Sequence, residues 1–106
     1  MPAQSMSVNV EQDRAVIKLS GEHEAYSADK LARNLSALIA EGVPVTVDLR
    51  QATFIDSTVV GVLLGAHRRA REAELELVLL LGSETGWPVR RMLEVTGLDS
   101  ELDVLE

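Results

Sequence analysis

The sequence has no cysteine, which excludes disulfides, thiol nucleophiles and zinc sites that need cysteine ligands. No apolar run approaches the roughly 18 residues of a membrane-spanning helix. Residues 1–7 have neither the charged nor the apolar part of a signal peptide. These absences together predict a reduced, cytoplasmic protein that does not insert into membranes.

Aromatic residues are scarce, with one Phe, one Trp and one Tyr, so there is little surface on which nucleobases could stack. The 10 basic residues are outnumbered by 17 acidic ones, and the net charge of −7 repels phosphate backbones. There is no glycine-rich phosphate loop, and His23 and His67 are too isolated to indicate a metal site. We therefore predict no nucleic-acid partner, no metal and no cofactor.

The composition is that of an ordinary globular protein, with 46% hydrophobic and 25% charged residues. A chain of 106 residues can bury one core but is too short for two. With so few aromatic residues, that core must consist of Val, Leu, Ile and Ala. We expect a single domain over residues 1–106.

Hydrophobic periodicity predicts the order β-β-α-β-α-β-α, followed by a short last strand. The predicted elements are strands over 6–11 and 14–20, a helix over 27–41, a strand over 44–49, a helix over 57–71, a strand over 75–81, a helix over 88–96 and a strand near 102–105. Strands that alternate with helices imply right-handed crossovers and parallel pairing. The fold class is therefore α/β, with a mixed, mostly parallel sheet of four to five strands, an N-terminal β-hairpin and about three helices.

Phe54-Ile55-Asp56-Ser57-Thr58 is the most informative segment, because it joins a buried strand to an apolar helix. Ligand and partner sites on such sheets lie outside the carboxyl ends of the strands. In the first turn of the helix, free N–H groups and the helix dipole favour an anion. Ser57 is thus a helix cap, a phosphate acceptor or both, with Thr58 as the alternative acceptor.

Asp56 could instead be a general base, but no histidine, lysine or second carboxylate stands in a fixed sequence relation to it. A structural or partner-contact role is therefore favoured. Gly61 and Gly65 form a G-x-x-x-G pattern that outside a membrane favours close packing of helix against sheet. Trp87 is either an exposed partner contact or a packing residue at the start of its helix.

The sequence resembles the STAS domain of bacterial anti-sigma factor antagonists over essentially its whole length. The matching segments are Leu19-Ser20-Gly21-Glu22, Val47-Asp48-Leu49, Phe54-Ile55-Asp56-Ser57-Thr58, Gly61-Val62-Leu63-Leu64, Val89-Arg90-Arg91-Met92-Leu93 and Thr96-Gly97-Leu98. The resemblance implies a STAS-like fold and a regulatory protein-binding role in transcription, without catalysis by this chain.

The resemblance also implies a phosphorylation switch at Ser57. In that family the serine after the aspartate is phosphorylated by a kinase that is also the anti-sigma factor. The unmodified antagonist captures this kinase and frees a sigma factor, and phosphorylation ends the capture. A metal-dependent serine phosphatase restores it. The implied partner-binding residues are Glu22, Glu24, Asp56, Thr58, Val59 and Gly61.

Two departures from the family pattern leave an alternative open. Val59 and Val60 stand where the family commonly has Gly and Leu, which would put a branched side chain where the partner docks, and His23 replaces an aliphatic residue. Val59 and Val60 favour a scaffold subunit of a membrane-associated transport or signalling complex that is not phosphorylated. A small enzyme is disfavoured by the lack of a phosphate loop or catalytic cluster. Self-association is left open.

Overall fold

The computed structural model describes residues 4–106, which form five strands and four helices. These are β1 (Gln4–Glu11), β2 (Arg14–His23), α1 (Ala25–Ala40), β3 (Val45–Ile55), α2 (Ser57–Glu72), β4 (Leu77–Leu80), α3 (Trp87–Val95), α4 (Leu98–Glu101) and β5 (Asp103–Leu105). Among these residues no helix has both the length and the apolar character needed to cross a bilayer.

The strands form one mixed sheet in the order β1-β2-β3-β4-β5. β1 and β2 are antiparallel, because the two-residue loop Gln12-Asp13 joins them as a hairpin and Gln12 adopts a φ of 53°. The other three pairs are parallel and are linked through helices. The predicted α/β fold with an N-terminal hairpin is therefore confirmed.

The core lies between one face of the sheet and the helices. On β3, the central strand, Val45, Val47 and Leu49 are each 1% exposed or less. Val47 is in register with Ile17 on β2 and with Leu79 on β4. The helices α1 and α2 cover this face with Leu31, Leu35, Leu38, Val59, Leu63, Ala66 and Ala70. The aliphatic core that the composition requires is thus built from neighbouring parallel strands and two amphipathic helices.

Several element boundaries differ from the predictions by one or more residues, and a fourth helix, α4, was not predicted. β2 continues to His23 rather than stopping at Ser20-Gly21, because the chain absorbs the glycine as an irregularity with a φ of 80° at Gly21. β3 continues to Ile55, so Phe54 and Ile55 pair with β2. α1 begins at Ala25 instead of Ser27, and Ser27 is buried in its first turn.

Candidate functional site

The junction between β3 and α2 is organised by Asp56. Its backbone is extended, with φ −103° and ψ −178°, and its carboxylate accepts hydrogen bonds from the N–H groups of Thr58 and Val59 at 3.0 and 3.2 Å. Two of the four free N–H groups of the helix are satisfied in this way. Asp56 is therefore the N-cap of α2, and of the two roles left open for Ser57 that of helix cap is wrong.

Ser57 is the first residue of α2 and is exposed. Within residues 4–106 the hydrogen bonds of this turn are made by Asp56, Thr58 and Val59, and none involves the Ser57 hydroxyl. The hydroxyl of Thr58, in contrast, donates to the Asp56 carboxylate. Of the two candidate acceptors, Ser57 is thus the one whose hydroxyl oxygen has no competing local bond.

The electrostatics of the turn favour an ionised Asp56. Partial burial tends to raise the pKa of its carboxyl group. The Thr58 hydroxyl and the N–H groups of Val59, Thr58 and, with the smallest effect, Ala25 outweigh that tendency and lower the pKa below its ordinary value of 3.8. Since Ala25 begins α1, this carboxylate lies where the N-termini of α1 and α2 meet.

We expect an Asp56→Ala protein to lose about 1–2 kcal/mol of unfolding free energy near neutral pH, because the cap is removed. Asp56→Asn is the matched control, since asparagine caps helices about as well as aspartate. The folded-state pKa of Asp56 is lowered, so its charge stabilises the fold above pH 3.8 and this contribution disappears as the pH falls through the folded-state pKa.

Urea unfolding of both variants and the wild type across acidic pH measures these effects. The gap between wild type and Asp56→Asn should shrink only below pH 3.8. An Asp56→Ala protein as stable as the wild type would contradict the capping role.

Two further acidic residues lie at the same edge of the sheet. Glu22 is in register with Phe54, and Glu24 is the residue before α1, whose N-terminus lies beside Asp56. The N–H of Asp56 donates to the carbonyl oxygen of His23 at 3.2 Å, which ties the two chain segments together. Both glutamates are exposed. The predicted partner-binding carboxylates therefore share one surface with Ser57.

Val59 does not belong to that surface. It is 0% exposed and Val60 is 7% exposed, because both side chains point into the core. The prediction that Val59 contacts a partner is wrong, and so is the expectation that its branched side chain would obstruct docking. The departure from the usual glycine changes the core packing and leaves the outer face of α2 unaltered.

Gly61 lies one turn after Ser57 on the exposed face of α2. A Cβ atom added to Gly61 would meet no atom within 4 Å, and one at Gly65 would meet only the end of the Arg69 side chain at 3.7 Å. The G-x-x-x-G pattern therefore does not serve close packing against the sheet, contrary to prediction. Gly61 remains a candidate for contact with a partner.

His23 forms a buried polar network under the site. Its side chain is 1% exposed, with Nε2 2.9 Å from the carbonyl oxygen of Ser20 and Nδ1 3.0 Å from the Ser27 hydroxyl. Because Ser20 offers an acceptor, Nε2 carries a hydrogen. The network satisfies a polar ring inside the core and anchors the end of β2 to α1, so the departure at His23 is structural.

The chain's three aromatic residues all lie near this site. Tyr26 follows Ala25 at the start of α1 and is 88% exposed, and Trp87 opens α3 and is 71% exposed. Phe54 is half-buried near the end of β3. Tyr26 was not predicted as a site residue. The signal in the sequence was that the three aromatic residues all stand near the ends of predicted elements. The exposure of Trp87 contradicts its reading as a packing residue.

Gly86 holds Trp87 and α3 against the site. Its N–H donates to the carbonyl oxygen of Ala52 at 2.8 Å, and a Cβ atom at this position would lie 2.4 Å from the carbonyl oxygen of Thr53. Only glycine permits this approach of two backbone segments. The start of α3 is therefore seated directly on the end of β3 that leads to Ser57.

Comparison with known proteins agrees with this geometry. A family model described as "Mlab, STAS domain" matches residues 6–106. An anti-sigma-B factor antagonist of Listeria monocytogenes is 33% identical over 93 residues, which are 87% of this chain and 79% of the relative.

Two solved structures share the fold. An anti-sigma factor antagonist from Mycobacterium paratuberculosis superimposes with a TM-score of 0.77 at 20% identity, covering 96% of this chain and 85% of the other. The Bacillus cell fate determinant SpoIIAA in its phosphorylated form gives 0.73 at 23% identity, covering 96% and 92%. The family model and the sequence relative, which each cover most of the chain, show that it belongs to the STAS domain family.

Proposed function

We propose that this protein is an anti-sigma factor antagonist that binds a kinase-type anti-sigma factor and is switched off by phosphorylation of Ser57. The observation that carries the proposal is the exposed Ser57 hydroxyl, without a local hydrogen bond, at the N-terminus of α2. The names of the relatives, anti-sigma-B factor antagonist and anti-sigma factor antagonist, support the choice of partner class.

The helix start suits both states of the serine. A phosphoserine carries about −1.5 to −2 charges. The helix dipole and the N–H groups of the first turn favour a negative charge there, so the fold tolerates the modification. In the free protein the phosphate faces solvent and needs no rearrangement of the core.

The same charge is unfavourable in a complex. Asp56, Glu22 and Glu24 already make this edge acidic, and the partner that docks on it must be complementary to that charge distribution. Adding a dianion beside these carboxylates raises the repulsion, and closing an interface over the phosphate removes its water. The modified surface itself is thus the signal that ends binding.

The chemistry belongs to the kinase. The Ser57 oxygen forms a bond to the γ-phosphorus of ATP, the bond from that phosphorus to the bridging oxygen breaks, and ADP leaves. The serine proton passes to a base on the kinase, which also supplies magnesium. This chain contributes the acceptor and its position, and a metal-dependent serine phosphatase reverses the step by hydrolysis.

Incubation with ATP and an anti-sigma serine kinase from the same genome, followed by mass spectrometry, tests the assignment. We expect one phosphate at Ser57 in the wild type, none in Ser57→Ala, and wild-type incorporation in Thr58→Val, which keeps Ser57. Equal incorporation by Ser57→Ala and wild type would overturn the assignment, and loss in Thr58→Val alone would transfer it to Thr58.

The alternative, a scaffold subunit of a membrane-associated transport or signalling complex, has lost its sequence support. It rested on Val59 and Val60, and both side chains are buried. Recovery of a transporter subunit, and not a kinase, as the bound partner would nevertheless support this alternative. Affinity purification from the native cells in buffer without ATP distinguishes the two by which partner is recovered.

A further inference from the structure

The outer strand of the hairpin, β1, is largely exposed to solvent. Seven of its eight residues are exposed, and only Met6 is half-buried. Val8 and Val10 are 42% and 56% exposed, although they stand opposite Ile17 and Ala15, which are fully buried. The helical layer that covers β2 reaches β1 only at Met6, and the apolar face of the strand at Val8 and Val10 extends past it.

β1 is also a free edge of the sheet. In the described part of the chain it pairs with β2 alone. In an antiparallel pair every second residue directs its N–H and C=O groups away from the partner strand. A strand of eight residues, about 27 Å long, thus offers a row of unpaired backbone groups beside exposed valines.

Within the described residues of β1, the features that usually protect such an edge are missing. The segment Gln4–Glu11 contains no proline or lysine, and its register with β2 runs without a bulge. Nor is the strand charged, because Glu11 is its only ionisable residue in a chain of net charge −7. β1 is thus a neutral edge on an acidic molecule.

We propose that β1 pairs with β1 of a second copy of this chain to form a two-fold symmetric dimer with one continuous ten-stranded sheet. A two-fold axis at Val8 makes the strands antiparallel and sets Val8 against Val8 and Met6 against Val10. The helices of both copies then lie on the same face of the sheet.

Charge favours a second copy as the occupant. In the register centred on Val8, each Glu11 faces Ser5 of the partner copy, and the two Glu11 side chains stand at opposite ends of the interface. No like charges are opposed, which is the condition for self-pairing of an acidic chain. The other sheet edge, β5, has only three residues, so the assembly closes at two copies.

Sedimentation equilibrium of the unmodified protein from about 1 μM to about 1 mM tests the proposal. We expect a reversible rise from the monomer to twice its mass. Val8→Lys, which places a charge at the centre of the interface, should weaken dimerisation at least about tenfold. Val95→Lys is the matched control, since Val95 is also an exposed valine (59%, against 42% for Val8) but lies on α3, and it should dimerise like the wild type.

Hydrogen exchange of the wild type provides a second measurement that needs no variant. Protection of the β1 amides should increase with protein concentration, while that of the Trp87–Val95 helix should not. A monomer up to about 1 mM, or a dimer equally tight in Val8→Lys, would overturn the proposal. Dimerisation through β1 does not involve Ser57, so its failure would not contradict the proposed function, and the failure of that function would not contradict the dimer.

Discussion

A Ser57→Glu protein is expected to bind its anti-sigma partner at least about 100-fold more weakly than the wild type, and the phosphorylated protein more weakly still. One close like-charge pair or one desolvated charge at an interface is worth several kcal/mol, and about 2.7 kcal/mol already corresponds to 100-fold. The added carboxylate would stand beside Asp56 on an edge that already carries Glu22 and Glu24. Titration calorimetry of the purified pair measures the affinity.

The stability of the free Ser57→Glu protein, in contrast to its affinity for the partner, should hardly change. A negative charge in the first turn of α2 interacts favourably with the helix dipole, so the unfolding free energy should change by less than about 1 kcal/mol. Ser100→Glu is the control for added charge, because Ser100 is exposed on α4, away from this edge. If Ser57→Glu binds the partner as tightly as Ser100→Glu does, charge at Ser57 is not the switch.

The second large effect is expected from Gly86→Ala, which should lower the unfolding free energy by about 3 kcal/mol. The backbone of Gly86, with φ −62° and ψ 144°, is accessible to alanine, so conformation is not the obstacle. The new methyl group would lie 2.4 Å from the Thr53 carbonyl oxygen and 2.7 Å from its Cα atom. Because these are backbone atoms, α3 or the end of β3 must move.

Gly61→Ala is the matched control for this substitution. Its Cβ atom would meet nothing within 4 Å, and alanine is favoured over glycine inside a helix by about 1 kcal/mol. Gly61→Ala should therefore be slightly more stable than the wild type. Urea denaturation of both variants measures the difference, and equal stability of Gly86→Ala and wild type would contradict the close contact.

The two substitutions also separate fold from function. A displaced β3 end would move the Asp56 cap and Ser57, so Gly86→Ala should reduce phosphorylation as well as stability. Gly61→Ala leaves the core unchanged, yet it adds a methyl group to the exposed face one turn after Ser57. If that variant is stable but binds the partner poorly, the partner's surface approaches the α2 backbone closely.

Local patterns determined the elements and the position of the site. The alternation of apolar residues in β1 and β2, the helical spacing of Leu31, Leu35 and Leu38, and the strand-to-helix junction at Phe54–Thr58 are properties of short segments. Periodicity and turn chemistry act over such distances, so the order of strands and helices and the place of Ser57 could be predicted without coordinates.

The tertiary structure decided what depends on distant contacts. Asp56 rather than Ser57 caps α2 because β3, paired with β2, continues to Ile55 and leaves Asp56 as the extended residue before the helix. Val59 is buried because the rotation of α2 about its axis is set by packing against α1, with further contacts to β4 and α3. Glu22, Tyr26 and Trp87 lie at the same edge of the sheet as Ser57 only because the parallel strands end there. The exposure of β1 follows from how far the helices extend over the sheet, and no local pattern encodes that extent.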